Sequence, residues 1–294
     1  MSTSRRTSHA LAVATVTLVA GCAHDLDAHQ AEDAPPPATA AVATTSPPAA
    51  SDPVERPSRR IESYEALTAA AWKACEPAEG GLTTSEMKLL HGLGNVCLDR
   101  RVVAELDRVL WPLKAARSPR FRPLMKEQAL YNRFAPALGE LVEQAMWIDL
   151  DTAARSYGSC YDCGRLACAT SSAKERLYYA RALQAGDAAA LAERIEAVQT
   201  AGGATLAKVS AMSAAAARWA RRPAPEPTSD EQYASPEDWR AIERGVRELE
   251  GQATDLAAST CEGFPGLSAA LGDITACREK TRRYYAAHCS FISG

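Results

Sequence analysis

From residue 61 onward, apolar positions recur at three- and four-residue steps, the period of helices packed by one face. Ile61, Tyr64, Leu67, Ala71, Trp72 and Cys75 form the first stripe, stopped by Pro77 and the glycines at 80 and 81. Thr83 and Glu86 have capping-box spacing and open a second helix carrying Leu98, Val102, Leu106, Val109 and Leu113, with Gly92 and Gly94 expected to kink or split its start. A third follows Ser118, Pro119 and Pro123, runs through Leu130, Phe134, Leu138, Leu141, Ala145 and Ile148, and is expected to break at Gly158. Cys160 and Cys163 are expected to sit in a loop between Gly158 and Gly164. Ser172 and Glu175 read as a further capping box, ahead of a helix with Leu177, Tyr178, Ala180 and Leu183 that ends near Gly186. Asp187 is placed to cap the next helix, with Leu191, Ile195 and Val198, and another carries Leu206, Val209, Met212, Ala216 and Trp219. Ser235, Pro236, Glu237 and Asp238 make a strong helix start. Trp239, Ile242, Val246, Leu249, Ala253 and Leu256 then alternate in a strict seam, and Leu267, Leu271, Ile274, Cys277 and Tyr284 or Tyr285 mark a last helix. No long segment alternates with period two. The expected fold class is all-α, a disulfide-stabilised bundle of antiparallel helical hairpins.

Residues 22–60 have no such pattern. They are rich in Ala, Pro, Thr, Ser and Asp, with prolines at 35–37 and 47–48, and bury too little apolar surface to offset chain entropy. They are expected to be a disordered, semi-stiff tether, and His24 and His29 within it to be solvated. The expected organisation is therefore residues 1–21, a tether over 22–60, a helical domain over 61–222, and a C-terminal helical hairpin over 223–294 after a Pro- and acid-rich stretch at 223–233.

The first residues carry an address. Arg5 and Arg6 precede an uncharged stretch, residues 10–20, long enough for a signal-peptide core and too short to span a bilayer. It ends in Leu18, Val19, Ala20, Gly21 and Cys22. This sequence resembles the lipobox of bacterial lipoproteins. The resemblance implies cleavage before Cys22, acylation of its thiol and a membrane anchor, since two or three acyl chains hold durably. Ala23, where an Asp would favour inner-membrane retention, implies the outer membrane, with the domain in the periplasm or at the cell surface.

Composition narrows the chemistry. The chain is 47% hydrophobic but only 6% aromatic, with a net charge of −3, so no strong field steers nucleic acid toward it. Of nine cysteines, removing Cys22 leaves Cys75, Cys97, Cys160, Cys163, Cys168, Cys261, Cys277 and Cys289. An even number in an exported chain argues for disulfides, although eight cysteines allow 105 connectivities. The expected bridges are Cys75–Cys97, one within 160/163/168, and one among 261, 277 and 289. Cys160 and Cys163 form a CxxC, but Gly164 stands where a c-type haem site needs His, and a metal at 160/163/168 would need His91 or His288 as a fourth ligand. No metal or other cofactor is expected. His91 and His288 are the only histidines from 61 onward, and no nucleophile–base pair stands out; the chain is not expected to be an enzyme. Neighbouring residues on a helix diverge by ~100°, so one tyrosine of Tyr178–Tyr179 and one of Tyr284–Tyr285 is expected at the surface.

Residues 97–183 resemble the LprI-type lysozyme-inhibitor domain of bacterial lipoproteins. The resemblance rests on Cys97 followed by Ala104, Glu105, Leu106 and Asp107, on Leu124 with Glu127 and Gln128, on a later cysteine pair, and on Arg176. It departs at Tyr131 and in a longer insertion before Cys160. It implies a helical fold, no catalytic residue, and binding of a lysozyme, with another envelope protein as the alternative partner. A basic lysozyme would favour the acidic positions Glu140, Glu143, Asp149 and Asp151, and an inhibitor that plugs its groove would need an exposed loop, for which 156–172, with Tyr161 and Asp162, is the candidate.

Overall fold

A computed structural model describes residues 60–76, 83–156, 161–201, 203–222 and 232–289. The expectations for Cys22, the tether and Cys160 lie outside the described residues, as do those for the side chains of Ala145, Leu206 and Val209. In chain order the elements are α1 (Tyr64–Lys73), α2 (Thr84–Ala115), α3 (Phe121–Trp147), β1 (Ala154–Arg155), α4 (Cys163–Ala185), α5 (Ala188–Ala201), α6 (Gly203–Trp219), β2 (Gln232–Tyr233), α7 (Pro236–Gly263), α8 (Leu267–Ala270) and α9 (Ile274–Ala286). The fold is an all-α bundle in which the two-residue strands form one small antiparallel pair, Ala154 opposite Tyr233 and Arg155 opposite Gln232.

The caps read from sequence at Thr83, Asp187 and Ser235 are in place. Thr83 and Glu86 satisfy each other's backbone N–H groups at the start of α2, and Ser235 and Asp238 do so at α7. Asp187 Oδ1 accepts from Ala190 N–H at 3.0 Å to cap α5, while its Oδ2 accepts from Ile61 N–H at 3.1 Å and ties down the approach to α1. The glycines at 92 and 94 do not break α2. A Cβ on Gly94 would lie 3.0 Å from the Trp72 ring, so the glycine lets α1 approach α2 closely, beside the Cys75–Cys97 disulfide.

α3 ends at Trp147, earlier than expected, because Ile148 turns extended and pairs with Arg155. Asp149 Oδ1 accepts from the N–H groups of Asp151 and Thr152 and closes the turn between them. The expected single last helix is two, α8 and α9. Gly272, at φ 117°, stops the first, and Asp273 caps the second through Ala276 N–H at 2.7 Å.

α4 is the largest departure. Residues 163–172 are not a loop but its first half, and Ser172 and Glu175 are buried inside it rather than capping its start. The N-terminus of α4 is capped from another helix: Glu143 of α3 accepts from the N–H groups of Asp162 at 2.6 Å and Arg165 at 2.9 Å. Four helices, α1, α2, α3 and α5, pack around α4. A helix enclosed on several sides needs no amphipathic stripe, which is why Tyr178 and Tyr179 both lie inside. Tyr178, Tyr179, Tyr284 and Tyr285 are all buried, contrary to the expectation that one of each would face solvent.

α7 packs on α3, α6 and α9, and α9 on α5. One hydrophobic core therefore draws on residues from both sides of 222, from Leu98 and Phe134 to Trp239, Phe264 and Leu267. Cys75–Cys97 and Cys261–Cys277 join as expected, the latter linking α7 to α9. Cys168 pairs with Cys289, linking α4 to the turn after α9 across 121 residues, a pairing the cysteine spacing gave no hint of. Cys163 is also disulfide-bonded. No described helix is long and apolar enough to cross a membrane.

Candidate functional site

The densest set of polar groups lies inside the bundle, where α3, α4, α7 and α9 meet. Arg176 of α4 donates to both carboxylate oxygens of Glu127 and to the Gln128 side-chain oxygen, both on α3. Arg176 is 2% exposed and Glu127 1%. The guanidinium also lies over two rings, 4.5 Å from Tyr131 and 4.4 Å from Tyr179. Tyr285 donates to Glu127 at 3.2 Å and shares a 2.9 Å hydrogen bond with Thr260 of α7, and Tyr131 donates to the Ser172 carbonyl at 2.6 Å.

A second pair stands beside the first. Glu175 of α4 accepts from Arg194 of α5 through both oxygens and from Tyr284 of α9 at 3.1 Å. Arg194 stacks on Tyr64 of α1, 3.3 Å from its ring centroid. A shallow surface groove of about 270 Å³ reaches this arginine between the start of α1 and α5, with Glu62, Glu65 and Glu193 among its walls.

His288 closes the cluster. It is 4% exposed, edge-on to Tyr284 at 4.3 Å and 5.0 Å from Tyr285, and neither ring nitrogen has a hydrogen-bond partner among the described residues. Its neighbour Cys289 is oxidised in the bridge to Cys168, so the two are not a thiol–imidazole pair.

The electrostatics quieten these groups near neutrality. Burial raises the tyrosines at 131, 179, 284 and 285, and Glu127 and Glu175 reinforce the rise at 285 and 284 respectively. Burial alone would lower Arg176, but Glu127 against it raises it on balance. Burial, helped by the positive charges of Arg176 and Arg194, pushes His288 down to about 3. Near pH 7 the tyrosines stay protonated, Arg176 charged and His288 neutral, and the hydrogen bonds of the cluster tie α3, α4, α7 and α9 together.

The acidic and loop positions singled out in the sequence sit around the end of α3 and the start of α4 but do not form one acidic surface. Glu143 is 3% exposed and its carboxylate is spent on the N-terminus of α4 and on the Trp147 indole. Glu140 is exposed, 3.8 Å from Arg165, and Asp162 accepts from the same arginine at 3.1 Å. Asp149 is held below the usual carboxylate range by hydrogen bonds from the Thr152 and Asp151 backbone. Asp151 stands out in solvent, 3.7 Å from Arg218. Tyr161 is half-exposed against the Trp147 ring. Arg165 and Arg218 offset much of the negative charge that Glu140, Asp151 and Asp162 would present.

Sequence reading missed the Glu127–Arg176 and Glu175–Arg194 pairs as pairs. Glu127 occupies a position in the apolar stripe of α3, between Leu124 and Tyr131, and a charge set in such a stripe was the available signal, since buried charges must find partners. Among the described residues no group of three His, Cys, Asp or Glu could hold a metal ion. No protein-family model, no curated protein and no solved structure matches the chain.

Proposed function

We propose that this chain is an exported lipoprotein, anchored through acylated Cys22, whose helical domain binds a protein partner in the cell envelope. One observation carries the proposal. Three disulfides, Cys75–Cys97, Cys168–Cys289 and Cys261–Cys277, staple the bundle, and such bonds persist in oxidising compartments outside the cytoplasm. The lipobox ending at Cys22 supplies the matching export signal and anchor.

The domain's contribution is rigid surface. Its buried arginine–carboxylate pairs and cross-links fix helices whose outer faces can be read by a partner. Lysozyme inhibition is the narrower form of this reading and rests on the LprI-type resemblance; the scattered acidic positions give it little electrostatic support. Contact with another envelope protein through helical faces is the alternative.

The test compares the parent with Cys22→Ala. The parent is expected in the membrane fraction, and the variant unprocessed or released. Equal membrane partition and equal maturation of both would refute the anchor. A thiol titration of the unreduced parent should find the six cysteines of the three bridges unreactive. Lysozyme turnover with and without the purified chain decides the narrower reading.

A further inference from the structure

The side of α2 that faces away from α4 is apolar. Met87, Leu89, Leu93, Val96, Val103 and Trp111 are each between 46% and 64% exposed. Of the large hydrophobic side chains in solvent, only Met125, Met146, Tyr161 and Ile274 lie elsewhere among the described residues, so the open apolar surface is concentrated on one helix. Positions 89, 93, 96, 100, 103, 107 and 111 recur at steps of four, three, four, three, four and four, a heptad seam separate from the inner stripe of Leu98, Val102, Leu106, Val109 and Leu113. A 32-residue helix is about 48 Å long, ample for such a seam.

The seam's two polar members decide what covers it. Arg100 and Asp107 are exposed, opposite in charge and one heptad apart, and neither has an ion-pair partner among the described residues. In a parallel pair of α2 helices like charges would face each other at both positions. In an antiparallel pair about a two-fold axis, Arg100 faces Asp107 of the second copy, and the same contact is made twice. That register also sets Val96 against Trp111, lays the Lys114 stem over Leu93, and brings the two Val103 side chains to the axis beside the small Ala104. Lys114 already lies 4.9 Å over the Trp111 ring, which places its stem along the seam.

We propose that the outer face of α2 is a self-association surface, on which two copies of this chain pair antiparallel through the 89–111 seam with reciprocal Arg100–Asp107 ion pairs. The five apolar seam side chains, about half exposed, offer on the order of 500 Å² per copy, within the range of the biggest apolar patch of an ordinary monomer. Doubled, this is about 1,000 Å², the smallest area expected of a specific interface. The dimer is therefore reversible and concentration-dependent.

The test is sedimentation velocity of the full chain over about 1–100 µM. The parent is expected to shift from monomer to dimer, and Val103→Glu to weaken dimerisation at least tenfold, with an unchanged helical circular dichroism spectrum. Arg100→Asp puts carboxylates opposite Asp107 and is expected to weaken it roughly tenfold. The double exchange Arg100→Asp with Asp107→Arg is expected to restore it to within about threefold. A parent monomeric throughout overturns the proposal. So does a dimer indifferent to Val103→Glu, or a double exchange no better than Arg100→Asp alone. Val103-dependent binding to phospholipid vesicles without a dimer overturns it in favour of a lipid surface.

Discussion

Replacing Arg176 by Met tests whether the buried ion pair holds the bundle. The substitution keeps an unbranched side chain between the Tyr131 and Tyr179 rings but removes the donors to both Glu127 oxygens and to Gln128. Glu127 then keeps only Tyr285, at 3.2 Å, in a site with almost no solvent access. Breaking a buried pair from one side costs about 3–5 kcal/mol. A second route gives a similar bound: an uncompensated buried carboxylate takes up a proton, and holding a carboxyl with an ordinary pKa of ~4.3 neutral at pH 7 costs about 3–4 kcal/mol. Against a typical total of about 5–15 kcal/mol this is a large loss, equivalent to roughly 6–20 °C in Tm for a domain of this size. The second route has a signature. The penalty should shrink by about 1.4 kcal/mol per pH unit as pH falls from 7 toward 5, because protonating the carboxyl becomes easier. Glu127→Gln strands a guanidinium that cannot shed its proton, so its cost should be flat with pH. Combining Glu127→Leu with Arg176→Met should bring stability back to within about 1–2 kcal/mol of the parent, since an apolar pair of similar volume avoids the desolvation cost. The assay is urea unfolding at pH 7, 6 and 5 without reductant, followed by far-ultraviolet circular dichroism. A cost below about 1 kcal/mol for Arg176→Met, or one that does not vary with pH, would refute the reasoning.

Other substitutions probe the rest of the core. His288 has an ordinary pKa of 6.5 and is held near 3 in the fold, so burial favours its neutral form. Its stabilising contribution is complete above pH 6.5 and is lost as pH falls toward 3, by about 5 kcal/mol in total; His288→Phe should remove that part of the acid slope in a stability–pH profile. Loop closure predicts that removing Cys168–Cys289, with 121 residues between its ends, costs about 4–5 kcal/mol, and Cys261–Cys277, with 16, about 3; the order of Tm values for the paired Ala variants checks it. Ser235→Ala, which removes one half of the box starting α7, should cost about 1 kcal/mol in the same urea assay.

Whether a segment could be read from sequence depended on how it is buried. The seam of α7 was legible because it faces one way: Trp239, Ile242, Val246, Leu249, Ala253 and Leu256 are all buried, while Glu243, Arg247 and Glu250 line its other sides. The capping boxes at Thr83 and Ser235 were legible because they are local chemistry, complete within four residues. α4 was not. Its start is satisfied by Glu143 from another helix, and its polar Ser172, Glu175 and Arg176 point into the bundle, where residues 19 to 117 positions away answer them. Spacing along the chain carries no record of such meetings. Cys168 was grouped with its neighbours for the same reason, whereas Cys75 and Cys97 join two helices that already follow one another.

The bond between Cys168 and Cys289 also changes what a protease can accomplish. It closes the polypeptide from α4 to the end of α9 into a covalent ring, within which Cys261–Cys277 makes a smaller one. A single backbone cut anywhere between 168 and 289 opens the ring but releases no fragment. A nicked molecule keeps both new ends attached, and they come apart only when the sulfur bridge is reduced.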